Sequence, residues 1–231
     1  TSPPRKGESD VGERFFRDMG YEVYRCPFPF EGEAELRYLH GNVYLGGYGL
    51  RTEKRAHEWM EAEFDMKIVK VEERDPYCYH LDCSIFPLTG DQTLVATYLF
   101  TPEELRDIEA VTGIIPASKD VALMGGCNSV MFQNTLLNGT ILEDLPRGHE
   151  FYMPEKNKNE ALERVASEIG KDLRFFNLSE FQKGGASLSC LIMHLNRLGF
   201  PGRSLTSPPG GRLGSCDSSS CFSDTTLAGV E

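Results

Sequence analysis

A unit of two short strands, a helix and a third strand recurs along this chain about every 50 residues, and no other feature limits its possible folds so strongly. In the first copy, residues 35–39 and 43–48 read as strands across a His40-Gly41-Asn42 turn. Thr52 can cap a helix over 53–64, and 68–71 follow as a strand. The second copy has strands over 79–86 and 93–98 around Thr89-Gly90-Asp91. Thr101-Pro102-Glu103-Glu104 then starts a helix, with Thr at the cap and Pro at the first helical position, and the helix leads to residues 113–116. The third copy gives a strand over 129–132, a connection over 134–139, a strand over 140–142, a helix over about 159–169 and a strand over 173–176. The fold class is therefore α/β, built from repeated β-β-α-β modules.

The flanks do not follow the repeat. Asp10 can cap a helix over 10–19, with Val11, Phe15 and Met19 at helical spacing, and 21–24 alternate as a short strand. Residues 188–195 form a last apolar strand. One domain over 10–200 is expected, with disordered ends at 1–9 and at 201–231, where nearly half the residues are Gly, Pro or Ser. The N-terminus lacks both an apolar signal core and an initiator Met, so a processed chain or a fragment is expected.

Charge narrows the partners. Lys plus Arg number 24 against 35 Asp plus Glu, a formal net charge of -11 that repels nucleic acid and anionic lipid and is compatible with a small cationic substrate. No apolar run approaches the roughly 20 residues a membrane helix needs. Seven cysteines, an odd number widely scattered, read as reduced thiols in a cytoplasmic protein rather than as a disulfide framework. The sequence carries no signal for an oligomeric state.

Three stretches carry side chains suited to chemistry. In residues 180–190 two glycines, Gly184 and Gly185, bring a turn up to Cys190, which is either a thiol at a pocket mouth or a buried one entering the apolar Leu191-Ile192-Met193. On a strand, Cys78, His80 and Asp82 would share a face, presenting an imidazole beside a carboxylate. That pair suits thiol activation or cation binding, or is simply a polar strand end, and a metal site on these three has no second Cys/His cluster to support it. Glu31, Glu33 and Glu35 alternate into a strand, which makes them a solvated acidic edge or half of a site. Arg51 can clamp a carboxylate or serve as a surface charge at a helix entry.

Taken in order, Phe30-Glu31-Gly32-Glu33-Ala34-Glu35, Gly47-Tyr48-Gly49-Leu50-Arg51-Thr52, Tyr79-His80-Leu81-Asp82 and Gly184-Gly185-Ala186-Ser187-Leu188-Ser189-Cys190 resemble the guanidino-group-modifying (amidinotransferase-type, pentein) superfamily, which includes dimethylarginine dimethylaminohydrolases and arginine deiminases. The resemblance spans residues from about 10 to 196 and implies an α/β propeller of five β-β-α-β modules, of which about three, plus partial ends, are legible here. It further implies Cys190 as a nucleophile toward the guanidinium carbon, His80 as general acid/base and Glu31 as the carboxylate that orients it. Asp82 would hold the guanidinium and Arg51 the substrate's carboxylate, with no cofactor or metal. The implied function is a cysteine-dependent hydrolase of arginine or a methylated or related arginine compound, acting through a thiouronium intermediate. Amidino transfer to an acceptor amine, or a non-catalytic truncated protein on the same fold, are the alternatives. Two departures stand out: Ala186 replaces a frequent glycine, and the family's first-module substrate-binding acid has no counterpart.

Overall fold

The computed structural model describes residues 7–195, which fall into two units, one ending at Tyr24 and the other beginning at Arg25. The first holds helix α1 (Glu8–Asp18), which starts after Gly7 rather than at an Asp10 cap and leaves Val11, Phe15 and Met19 exposed. Residues 21–24 are not a strand, because among the described residues nothing pairs with their backbone as a ladder.

The second unit contains three modules of one plan. β1 (Leu36–His40) pairs antiparallel with β2 (Val43–Tyr48), helix α2 (Lys54–Glu63) crosses over, and β3 (Lys67–Glu72) returns parallel to β2. β4 (Ile85–Pro87), β5 (Gln92–Val95), α3 (Pro102–Glu109) and β6 (Gly113–Pro116) repeat this topology. After a short helix α4 (Lys119–Leu123), it recurs in β7 (Val130–Phe132), β8 (Thr135–Thr140), α5 (Tyr152–Glu168) and β9 (Asp172–Asn177). The α/β module reading thus holds for three complete modules, each a three-stranded sheet with the second strand in the middle.

Local chemistry explains these elements. α3 begins with a full capping box, in which Thr101 accepts from the Glu104 amide and the Glu104 side chain accepts from the Thr101 amide. Thr52 does not cap α2, whose cap is Glu53; its hydroxyl instead accepts from the Glu31 amide at 3.1 Å. The β7–β8 hairpin closes over Gln133 and Asn134 with Gln133 at φ 53, so β8 begins where a longer connection is expected from sequence. α5 starts seven residues earlier than its apolar spacing suggests.

Modules are joined through shared cores. Leu39, Leu45 and Val71 of the first pack with Leu81, Ile85, Val95, Phe100 and Ile108 of the second. Phe86, Leu88, Leu94 and Ala96 pack in turn with Val121, Cys127, Leu136 and Leu162. Each Val, Leu, Ile or Phe among them contributes about 1.5–3 kcal/mol on burial, so neighbouring modules stabilise one another.

Two further expected strands depart from the sequence reading, one shortened and one absent, and both departures shape the site. Residues 79–86 do not run as one strand. The amides of Cys83 and Ser84 turn back to the carbonyls of His80 and Leu81, forming a 3₁₀ turn over Leu81–Cys83 before β4 begins. Residues 188–195 make another such turn over Ser189–Leu191 and pair with no strand among the described residues, leaving Leu191, Ile192, Met193 and Leu195 exposed. Residues 196–231 lie outside the described residues, and with them the expected tail and Cys216 and Cys221.

Candidate active site

The site is built around the 3₁₀ turn at Leu81–Cys83. Leu81 is fully buried in the core and anchors the turn, which aims the flanking His80 and Asp82 at different partners. They do not share a strand face with Cys78; that thiol is buried and pushed up to about 11 by its surroundings.

His80 meets Glu31, its Nε2 lying 2.6 Å from Glu31 Oε2. Tyr79 packs against the imidazole with ring centroids 4.6 Å apart, and the Arg51 guanidinium lies 4.9 Å over the Tyr79 ring and 3.5 Å from Glu31 Oε2. Burial opposes ionisation of Glu31. The hydrogen bond and attraction of His80, together with Arg51, outweigh it and hold the carboxyl below its ordinary range. Arg51 itself remains half in solvent at the edge of this group.

Asp82 is 1% exposed and meets residues more than forty positions distant. Its Oδ2 accepts from Asn128 Nδ2 at 2.8 Å and from Ser189 Oγ at 2.5 Å, and lies 3.7 Å from Cys190 Sγ. Asn128 completes the closure, donating to Cys190 Sγ at 3.4 Å while its Oδ1 accepts from the Ser189 amide at 2.8 Å. The chain reaches this point through helix α6 (Ser179–Lys183). Gly185, at φ 79, then lets the Ala186 amide bond back to Phe181 and reverse the backbone.

Cys190 therefore stands at the surface rather than in the core, with its sulfur turned onto Asp82 and Asn128. Packing around the sulfur and the Asp82 charge push this thiol above its ordinary value. A guanidinium laid against Asp82 reverses that balance, since a cation beside the sulfur favours the thiolate.

The three carboxylates near residue 31 separate, because Gly32–Glu35 forms a 3₁₀ turn instead of entering a strand. Glu31 takes His80, Glu33 takes His194 at 2.6 Å, and Glu35 is buried against the Leu81 amide. Among the described residues no three His, Cys, Asp or Glu side chains are grouped to hold a metal ion. Asn128 and Ser189 are not among the sequence candidates. The pair Gly125-Gly126 two residues before Asn128 is the same kind of signal as Gly184-Gly185 before Cys190.

Gly47 is the close-approach glycine of the site. A Cβ there would lie 2.7 Å from Glu35 Oε2, 2.9 Å from Glu73 Oε1 and 2.9 Å from Leu81 Cβ. Gly47→Ala is expected to cost about 1–3 kcal/mol by overpacking. Thermal unfolding measures this, and an unchanged Tm would show that the turn at Leu81 does not need the space.

The three α/β modules have the β-β-α-β plan of the pentein fold. In sequence and in fold the chain is a relative of the guanidino-group-modifying superfamily. It is 26% identical over 200 residues to the bifunctional arginine dihydrolase/ornithine cyclodeaminase ArgZ of Synechocystis, covering 83% of this chain and 26% of that protein. It is 27% identical to the N(G),N(G)-dimethylarginine dimethylaminohydrolase of Mycobacterium tuberculosis, covering 84% of this chain and 59% of that one. The N-terminal domain of ArgZ, solved with a covalently bound reaction intermediate, superposes with a TM-score of 0.69 at 26% identity, over 82% of this chain and 65% of that domain. A dimethylarginine dimethylaminohydrolase from Pseudomonas aeruginosa, with TM-score 0.58 and 16% identity over 82% of this chain and 66% of that one, shares the fold. The chain thus spans about a quarter and about three fifths of the two curated relatives. No family model matches the sequence.

Proposed function

We propose that this chain carries the reacting groups of a cysteine-dependent hydrolase of the guanidinium group, acting on arginine or a methylated arginine. The observation that carries the reading is the convergence on one 3₁₀ turn of the His80–Glu31 pair and of Asp82 with Cys190. Relatives named as an arginine dihydrolase and a dimethylarginine dimethylaminohydrolase support it.

The roles follow from the chemistry of each group. Asp82 takes the substrate guanidinium, and the cation lowers the thiol's affinity for its proton, which passes to the His80 imidazole. The Cys190 thiolate adds to the guanidinium carbon. His80, held by Glu31, gives a proton to the departing nitrogen as the C–N bond breaks, which leaves a thiouronium on the sulfur. The same imidazole then takes a proton from water, whose oxygen attacks that carbon, and the C–S bond breaks to release a ureido product and restore Cys190. Arg51, at the exposed edge, meets the substrate's carboxylate. No step calls for a metal or a cofactor, and the thiol chemistry suits a reducing, cytoplasmic setting.

The test is incubation with L-arginine and with asymmetric dimethylarginine, following the ureido product, ammonia and dimethylamine, with mass spectrometry for an adduct on Cys190. Release of none of these products, and no adduct, overturns the reading. A second test uses Asp82→Asn. Removing the charge that raises the Cys190 thiol is expected to speed alkylation of the empty site by iodoacetamide severalfold at pH 7 while abolishing turnover. The share of the relatives' length that this chain spans favours a second reading, a non-catalytic protein on the same modules. For that reading the alkylation change is expected without any turnover in the parent chain.

A further inference from the structure

Behind the turn that carries His80 and Asp82 lie two buried carboxyl groups that none of these roles uses. Glu35 is 0% and Glu73 5% exposed, and both press on the space above Gly47. Glu35 Oε2 accepts from the Leu81 amide at 3.2 Å, the peptide between His80 and Asp82. Glu35 Oε1 and both oxygens of Glu73 meet no donor among the described residues. Two ionised carboxylates are acceptors only and repel each other, so side by side in a dry site they are satisfied only when one carries a proton and donates it to the other.

We propose that Glu35 and Glu73 share a proton in the folded protein at neutral pH, and that this proton-sharing pair is a positioning device, fixing through the Leu81 amide the turn that presents His80 and Asp82. The importance of that turn rests on the function proposed above; the pair itself does not.

The surroundings favour the shared proton. Glu35 faces Glu73, His80 and Asp82, while Glu73 faces Glu35, Asp82, Glu31 and the Cys78 thiol. On the far side of Gly47, His57 Nε2 lies 2.7 Å from the Gly47 carbonyl oxygen, and burial pushes that imidazole down. Burial pushes both carboxyls up, and the charge of Glu35 pushes Glu73 up further. Without its proton the pair would add a second negative charge directly behind Asp82.

The sign of the pH dependence follows. The unfolded chain loses these protons near the ordinary value of 4.5, whereas the folded pair keeps one. Stability contributed by the pair is fully present below about pH 4.5 and declines as pH climbs through the neutral range, until the folded pair gives up its proton. In Glu73→Gln the amide donates what the shared proton donated and does not titrate. Its Tm is expected to match the parent at pH 5 and to exceed it by several degrees at pH 8. An equal difference at both pH values overturns the shared proton.

The positioning role is read separately, from iodoacetamide alkylation of Cys190 in the free protein at pH 7. Glu35→Leu removes the acceptor of the Leu81 amide, so Asp82 loosens from the sulfur and alkylation is expected to accelerate severalfold. Glu35→Gln keeps an acceptor and is expected to return the rate to that of the parent. If both variants alkylate like the parent, the pair does not position the turn. Neither measurement uses turnover, so failure of the guanidinium reading leaves both tests standing.

Discussion

Replacing Cys190 by serine is expected to lower guanidinium hydrolysis by about 10⁴- to 10⁶-fold, the scale lost when a covalent nucleophile is removed from a site whose other groups remain. A hydroxyl holds its proton far more tightly than a thiol, so a guanidinium at Asp82 that frees a thiolate leaves serine protonated. The substitution removes little packing, because Cys190 is exposed and its sulfur makes polar contacts with Asp82 and Asn128 that a hydroxyl can also make. Stability is therefore expected to stay within about 0.5 kcal/mol of the parent, as for other surface changes. Product assays, a mass shift on the trapped parent and a thermal melt together decide the outcome. A serine variant that keeps a tenth of the parent's turnover would remove Cys190 from the reaction.

The second large effect is on stability. Lys158 is fully buried on α5, its Nζ 2.8 Å from Glu155 Oε1 and 2.5 Å from the Gly139 carbonyl oxygen, with the Phe175 ring 5.6 Å away. Glu155 Oε1 also accepts from Thr140 Oγ1 and the Ile141 amide, so one ion pair ties the helix to the end of β8. Burial pushes the Lys158 amine down, and the attraction of Glu155 acts against it. Lys158→Ala leaves a carboxylate buried without its cation and a carbonyl without its donor. The expected loss is about 3–5 kcal/mol, or roughly 10 °C in Tm for a unit of this size. Pairing Lys158→Met with Glu155→Gln keeps an acceptor for Thr140 and Ile141 while removing both charges, and is expected to recover at least half of that loss. If the single variant melts with the parent, the buried pair is not what holds α5 on β8. The damage also reaches the candidate site. Asn138, next to Gly139, donates to the Gly125 carbonyl and to Ser129 Oγ, holding the loop that presents Asn128.

Much of this fold is legible in the sequence. The module plan is readable because the first two hairpins and crossover helices are specified within a few residues, as by the Thr101–Glu104 capping box and the His40-Gly41-Asn42 turn. In the third module, by contrast, the expected connection over 134–139 is strand β8, and the expected strand over 140–142 ends at Thr140. The candidates Glu31, His80, Asp82, Arg51 and Cys190 were likewise nameable one by one. An apolar or β-prone run does not by itself make a strand; it needs a partner along its length, and most of 79–86 and all of 188–195 lack one among the described residues. Residues 81–83 and 189–191 close into 3₁₀ turns, and only Ile85 and Phe86 of the first stretch enter a strand, β4.

By itself, then, the sequence determined the module, its repetition and the chemical types available to a site, since these depend on local propensity and on side chains spaced a few residues apart. Which groups face one another was left to the tertiary structure. Glu31 reaches His80 across 49 positions and Asp82 reaches Cys190 across 108. Asn128, Ser189 and the Glu35–Glu73 pair gained their places only when three modules packed around shared cores. The reason is physical: a charge pairs, or keeps its proton, according to what burial brings beside it, and burial is set by contacts between distant parts of the chain.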